Sequence, residues 1–244
     1  MGVFWTVWIV LVLILAGFSA WLGSRLRGSI WAIFIDSRNT WSLSQFQLVC
    51  WTFLGLPLIF ATVIWRASDD ASSAWDFEIP GQLLALMGIS LGSAVASLAV
   101  KSTKNTNRSL EIGARPASTQ NPPFADMFAV EEGTDALKNI DVTKFQNFFI
   151  SLGLLASYLW IVVDAFASLP QGVKVPTSLP SFSQEMVGLL ALSHGGYLVG
   201  KIPNRPGNPE TAAAAAAAAA ANASGVPAAA PVSPAIVNVA RLQG

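Results

Sequence analysis

The sequence predicts an all-α fold, a polytopic membrane bundle of five transmembrane helices. Three observations predict it. Five apolar stretches reach about 20 residues, the length a helix needs to cross a hydrocarbon core. Lysine and arginine divide unevenly between alternate connecting segments. Two of the helical pairs share residues at a nearly constant spacing, as a tandem duplication would. Composition agrees: 53% of the 244 residues are hydrophobic and 11% charged, against roughly 25% charged in a soluble domain.

The first span covers residues 3–22 and is an anchor helix. Its apolar run is longer than a signal-peptide core, and Arg25 and Arg27 follow it instead of preceding it. That arrangement predicts an uncleaved helix with its N-terminus outside. The segment 23–43 is too short to span and is expected at the interface or under the bundle, with a polar turn at Asp36-Ser37-Arg38-Asn39.

Residues 44–100 read as a transmembrane hairpin with spans at 44–65 and 80–100, and residues 145–201 as a second with spans at 145–166 and 182–200. Phe46 and Gln47 fall on Phe145 and Gln146 at an offset of 99; Ser90 and Gly92 fall on Ser193 and Gly195 at 103. Both hairpins leave from the same side, so the repeat is parallel and its pseudo-two-fold axis lies along the membrane normal. With alternate loops assigned inward, the inner side holds Arg25, Arg27, Arg38, Lys101, Lys104, Arg108, Arg115, Lys138, Lys144, Lys201, Arg205 and Arg241, and the outer side only Arg66 and Lys174. The positive-inside bias then gives N-out and C-in.

Each hairpin opens on a capping-box pattern, Ser44-x-x-Gln47 and Thr143-x-x-Gln146, which predicts that these side chains satisfy free backbone amides at a helix start. The loop 101–144 is basic in its first half, which suits anionic lipid. Its second half is acidic, and Phe124, Met127 and Phe128 are expected to be exposed there as a docking segment. Residues 202–244 form an Ala/Pro-rich tail whose ten-alanine run is too short for a stable isolated helix in water.

Small residues four apart let helix backbones approach closely. Gly88 and Gly92, Ser93 and Ser97, and Gly196 and Gly200 have that spacing, with Gly195 beside them. They predict helix packing, within the chain or between copies. His194 is the single histidine; with Ser90 and Ser193 it marks a candidate polar path between the hairpins, or an interhelical hydrogen bond. One imidazole cannot build a zinc site or a bis-histidine haem site. Cys50 lies in an apolar span and gives no disulfide framework. Nucleophile elbows, phosphate-binding glycine loops and zinc-protease motifs are absent from the sequence. No cofactor, metal or nucleic-acid partner is expected.

The set Ile35-Asp36-Ser37-Arg38-Asn39, Ser42-Leu43-Ser44, Gln47, Met87-Gly88-Ile89-Ser90 and Leu192-Ser193-His194-Gly195-Gly196-Tyr197-Leu198 resembles a family of bacterial multi-span inner-membrane proteins with duplicated hairpins and no assigned activity. The resemblance covers roughly residues 30–203 and implies a multi-pass protein of the bacterial inner membrane. Abundant packing chemistry without catalytic groups predicts a non-enzymatic scaffold or accessory subunit, held to lipid and to a protein partner or a second copy through the transmembrane stripes and the 101–144 loop. The alternative is a small channel or permease with its path between the hairpins.

Overall fold

The computed structural model describes residues 2–106, 113–116, 118–119, 121–131, 136–169 and 175–201. The Ala-rich tail and Gly200 lie outside what is described at side-chain level. Five α-helices account for most of the described chain: α1 (Gly2–Arg27), α2 (Leu43–Asp69), α3 (Gly81–Thr106), α4 (Val142–Ala167) and α5 (Gln184–Lys201). Among the described residues β-pairing is limited to isolated bridges. Four of the helices, α1 to α4, are long and apolar enough to cross a membrane; α5, with 18 residues and a charge at each end, is not among them. Among the described residues the helices that meet this measure of length and composition number four, one fewer than the sequence reading.

The helices α2, α3, α5 and α4 close a four-membered ring, and α1 lies outside it against α2. The inward residues of α2 (Ser44, Gln47, Trp51, Leu54, Leu58, Thr62) and of α4 (Lys144, Asn147, Ser151, Leu154, Tyr158, Val162) advance by three or four. That is the stripe a packed helix buries. Two contacts fix the relative directions of the other pair. Before α3 and α5 begin, Glu78 and Ser178 form a parallel bridge, and near their ends Lys201 Nζ donates to Ser97 Oγ at 2.8 Å. The two helices therefore run side by side in the same direction. The end with Lys201 is called the cap end here, and the end with Glu78 the far end.

The far half of the ring is filled by Leu58, Leu83, Leu86, Tyr158, Phe166 and Leu190. Phe4 ties α1 to it, edge-on to Phe166 with ring centroids 4.7 Å apart. Phe4 and Gly23 are the fully buried residues of α1, with Trp5, Val7 and Trp8 half-buried against the core. The helix stops at Gly28, whose φ of +69° is the left-handed conformation that glycine adopts without cost. Gly23 lets the returning chain pass, since a Cβ there would sit 2.6 Å from the Ser29 carbonyl oxygen.

At the cap end the segments between helices fold into an ordered layer. The turn at 35–41 closes through the Ile35–Trp41 bridge, with the Asp36 carboxylate accepting from the backbone amides of Arg38 (2.9 Å) and Thr40 (3.2 Å). The long loop is knitted to this turn. Arg115 N–H donates to the Arg38 carbonyl, Asn39 Nδ2 to the carbonyls of Pro116 and Thr119, and Trp41 Nε1 to that of Pro122. An aromatic layer of Trp41, Phe46, Phe128 and Phe148 around buried Leu43, Met127 and Tyr197 joins cap to bundle. This corrects the expected exposure of the loop. Met127 is fully buried and Phe128 half-buried, because the short 3-10 turn Phe124–Phe128 faces the bundle; only Phe124 stays 45% exposed.

Candidate functional site

The cap end concentrates the buried polar chemistry of the described chain, in two connected tiers. The lower tier is a seam between α2 and α4. Gln47 Nε2 donates to Asn147 Oδ1 and to Ser151 Oγ (2.7 Å), and Asn147 Nδ2 donates to the Ser193 carbonyl at 3.0 Å. Three helices are thus joined by amide and hydroxyl groups that are almost entirely buried. Such contacts hold membrane helices together where water cannot compete.

The upper tier centres on Glu131. Its Oε1 receives Lys144 Nζ and Lys201 Nζ, both at 2.9 Å, and Oε2 lies 3.5 Å from Arg38 Nη1. Lys144 also donates to the Ala129 carbonyl at 2.7 Å. Lys201 lies over the Tyr197 ring, 4.7 Å from its centroid, a favourable cation–π position. The cations are buried and come from the 35–41 turn, from α4 and from α5. One loop carboxylate therefore gathers groups that chain connectivity leaves 93, 13 and 70 residues away. Beside it Arg115 and Asp126 form a two-bond fork at 2.9 and 2.7 Å. The Asp126 carboxylate holds the Arg115 proton more tightly than usual.

The sequence-predicted residues distribute unevenly over this site. Gln47, Ser93, Ser97 and His194 are buried, Ser90 is buried on α3, and Ser193 is half-buried. His194 Nδ1 meets the Leu190 carbonyl one turn back at 3.2 Å, so its partner is its own helix. Ser90 Oγ, Ser93 Oγ and His194 Nε2 have no hydrogen-bond partner. Gly88, Gly92 and Gly196 are exposed, with nothing within 4 Å of an added Cβ, so they pack against no other helix of the chain. Within the chain this corrects the glycine part of the stripe: Ser93 and Ser97 are buried, and the glycine that lets two long helices approach is Gly55, where a Cβ would meet Met87 Sδ at 3.2 Å.

The capping boxes are also corrected. The N-cap of α2 is Ser42, with no side-chain cap bond, and Ser44 and Gln47 face the interior. The N-cap of α4 is Asp141, whose carboxylate accepts from the amides of Thr143 and Lys144, while Thr143 and Gln146 are exposed. A carboxylate at the start of a helix is favoured by both the free amides and the helix dipole. Sequence reasoning missed Asn147, Ser151, Lys144, Lys201 and Glu131. The signal for the first three was present: Lys144, Asn147 and Ser151 share one helix face, three and four residues apart, inside an otherwise apolar span.

Among the described residues no three His, Cys, Asp or Glu side chains lie together so as to hold an ion. Comparison of the chain with protein-family models, with curated proteins and with solved structures finds no match.

Proposed function

We propose that the chain is an integral membrane scaffold or accessory, anchoring subunit, whose ordered cap is a platform on the cytoplasmic side of a bacterial inner membrane. The observation that carries this reading is the brace at Glu131, which ties the 35–41 turn, α4, α5 and the long loop into one unit. A platform for a partner needs fixed geometry, and buried ion pairs with additional hydrogen bonds supply it. Topology in this proposal is five-span, N-out and C-in. Supporting it, α5 runs beside α3 and at 18 residues is about 27 Å long, close to the roughly 30 Å of a hydrocarbon core. Arg25, Arg27, Arg38, Arg115, Lys138, Lys144 and Lys201 belong to the cap end and Arg66 to the far end, which favours a cytoplasmic cap. The family resemblance in the 30–203 region is part of the same proposal.

The tandem-hairpin reading also belongs here, in a changed register. Inward positions recur at an offset of 100 between α2 and α4 (Gln47 and Asn147, Leu58 and Tyr158) and of 104 between α3 and α5 (Ser90 and His194, Ser97 and Lys201). These offsets are one more than those of the shared residue identities, and two of the pairs, Gln47 with Asn147 and Ser97 with Lys201, are hydrogen-bonded between neighbouring helices.

The channel reading is favoured by the unpartnered Ser90 Oγ, Ser93 Oγ and His194 Nε2. It is opposed by the far half of the ring, where Leu58, Leu83, Leu86, Tyr158 and Leu190 fill the axis. The experiment that separates the two is native mass and co-purification of the tagged full chain after mild detergent extraction. The expected result is a stoichiometric protein partner that is lost in Glu131→Ala. A homo-oligomer without other protein, together with solute flux in liposomes, would overturn the scaffold in favour of the channel.

A further inference from the structure

A cavity of about 310 Å³ opens on the cap beside the end of α1, lined by Arg27, Arg38 and Arg115 together with Ser29, Ser37 and Thr119. Its volume lies at the lower end of the range for small-ligand sites, about 300–1,000 Å³. Among the described residues that line it there is no carboxylate.

The arginines are held in place before any ligand arrives. Arg27 Nη1 and Nη2 donate to the carbonyls of Ile35 (2.8 Å) and Asp36 (2.9 Å), neutral acceptors that leave its charge uncompensated. Arg115 uses Nε and Nη2 on Asp126, which leaves Nη1 outside that fork. The backbone between them is pinned by Asn39 Nδ2 on the Pro116 and Thr119 carbonyls. Guanidinium groups fixed by other bonds lose little freedom on binding, and their planar donors match the oxygens of phosphate.

We propose that this cavity binds a phosphoryl group carrying net negative charge, with Arg27 as its uncompensated cation, Arg115 Nη1 as a second donor and Ser37 at its rim; the Arg38 guanidinium is committed to Glu131 and takes no part. The cavity's place narrows the source of that group. Arg27 ends α1, and Trp21, Leu26 and Ile30 around it are exposed apolar residues on the membrane-crossing side. The uncompensated Arg27, with Arg115 Nη1 beside the same cavity, suits the headgroup of an anionic phospholipid at that boundary, and a free phosphate compound offers the same chemistry. The inference rests on cap geometry alone and holds for a scaffold or a channel.

The test uses the purified full chain in detergent, with short-chain phosphatidic acid and inorganic phosphate as probes and short-chain phosphatidylcholine as the zwitterionic control. Binding is read from the intrinsic fluorescence of the protein, with Trp31 and Trp41 in the same layer. Ser37 is exposed, so Ser37→Glu places a carboxylate at the rim without touching the cap pairs. The expected result is saturable binding of phosphatidic acid that weakens about tenfold or more in Ser37→Glu and in Arg27→Gln, the effect of losing one charge-assisted contact. Displacement of the lipid by inorganic phosphate assigns the site to free phosphoryl compounds; lipid binding without displacement assigns it to headgroups. Binding of neither probe, equal affinity in wild type and Ser37→Glu, or equal affinity for phosphatidylcholine overturns the proposal.

Discussion

The helices α1 and α5 are opposites in composition and in burial. The first has 26 residues with no charge before Arg25 and fully buries only Phe4 and Gly23. The second has 18 residues, carries Glu185, His194 and Lys201, and buries Val187, Leu190, His194, Tyr197 and Lys201. In a water-soluble protein apolar composition marks the interior. In a bilayer the solvent is itself apolar, so the most hydrophobic helix is free to face lipid while a more polar helix finds its partners inside. Hydropathy therefore ranks these helices by how much of them the bundle leaves uncovered, and the one it passes over is a member of the ring, packed between α3 and α4.

Substitutions at the two helices sharpen the contrast, and the largest effect belongs to the ion cluster that holds the end of α5. Glu131→Ala leaves Lys144, Lys201 and Arg38 without the carboxylate they share. Loss of one partner from a buried pair costs about 3–5 kcal/mol. The denaturation midpoint in detergent falls accordingly, and limited proteolysis cuts the cap first. Next in size is Phe4→Ala, which removes the main anchor of α1. The cost is roughly 3 kcal/mol, the lower end for a buried Phe, and cross-linking between α1 and α2 drops, whereas Leu13→Ala on the exposed face changes neither.

A smaller loss follows from Asn147→Ala, which breaks the seam between α2, α4 and α5. Hydrogen bonds between membrane helices are worth about 0.6–1.7 kcal/mol, so the melting temperature falls by a few degrees with the fold intact. Gly92→Ala and Gly196→Ala meet open space and are expected to change stability by less than about 0.5 kcal/mol, in the size range of surface substitutions. A drop of several kcal/mol at either position would show that the stripe packs against protein. Least of all is an acid effect at the far end. The hydroxyl and amide of Ser72 hold the Asp70 carboxyl below its ordinary value of 3.8. Its stabilisation is complete above that value and fades as pH falls through the lowered one. Asp70→Asn removes this low-pH dependence from the thermal unfolding of the chain.

The spans were legible because twenty apolar residues carry a message that no partner is needed to read. The site was not, because its residues meet through contacts such as Lys201 on Ser97 and Arg38 on Glu131, which no local pattern encodes. Ser44-x-x-Gln47 shows the ambiguity in miniature. A spacing of three brings a cap residue to its helix start and equally puts two side chains on one face, and α2 uses it for the second purpose. The repeat misled in a similar way. Gln47 and Gln146 share an identity, yet one is buried and the other exposed; Asn147, one residue on, occupies the inward position.

The proposed five-span topology requires α5 to cross the membrane beside α3 despite its polar composition. It is tested most directly by labelling cysteines at its two sides, Ser181→Cys and Gly244→Cys, each in a Cys50→Ser background, with a membrane-impermeant maleimide in intact cells. The expected result is labelling at position 181 in intact cells and at position 244 only after permeabilisation. Labelling of both positions from the same side would contradict it and leave α5 as a helix that returns without crossing.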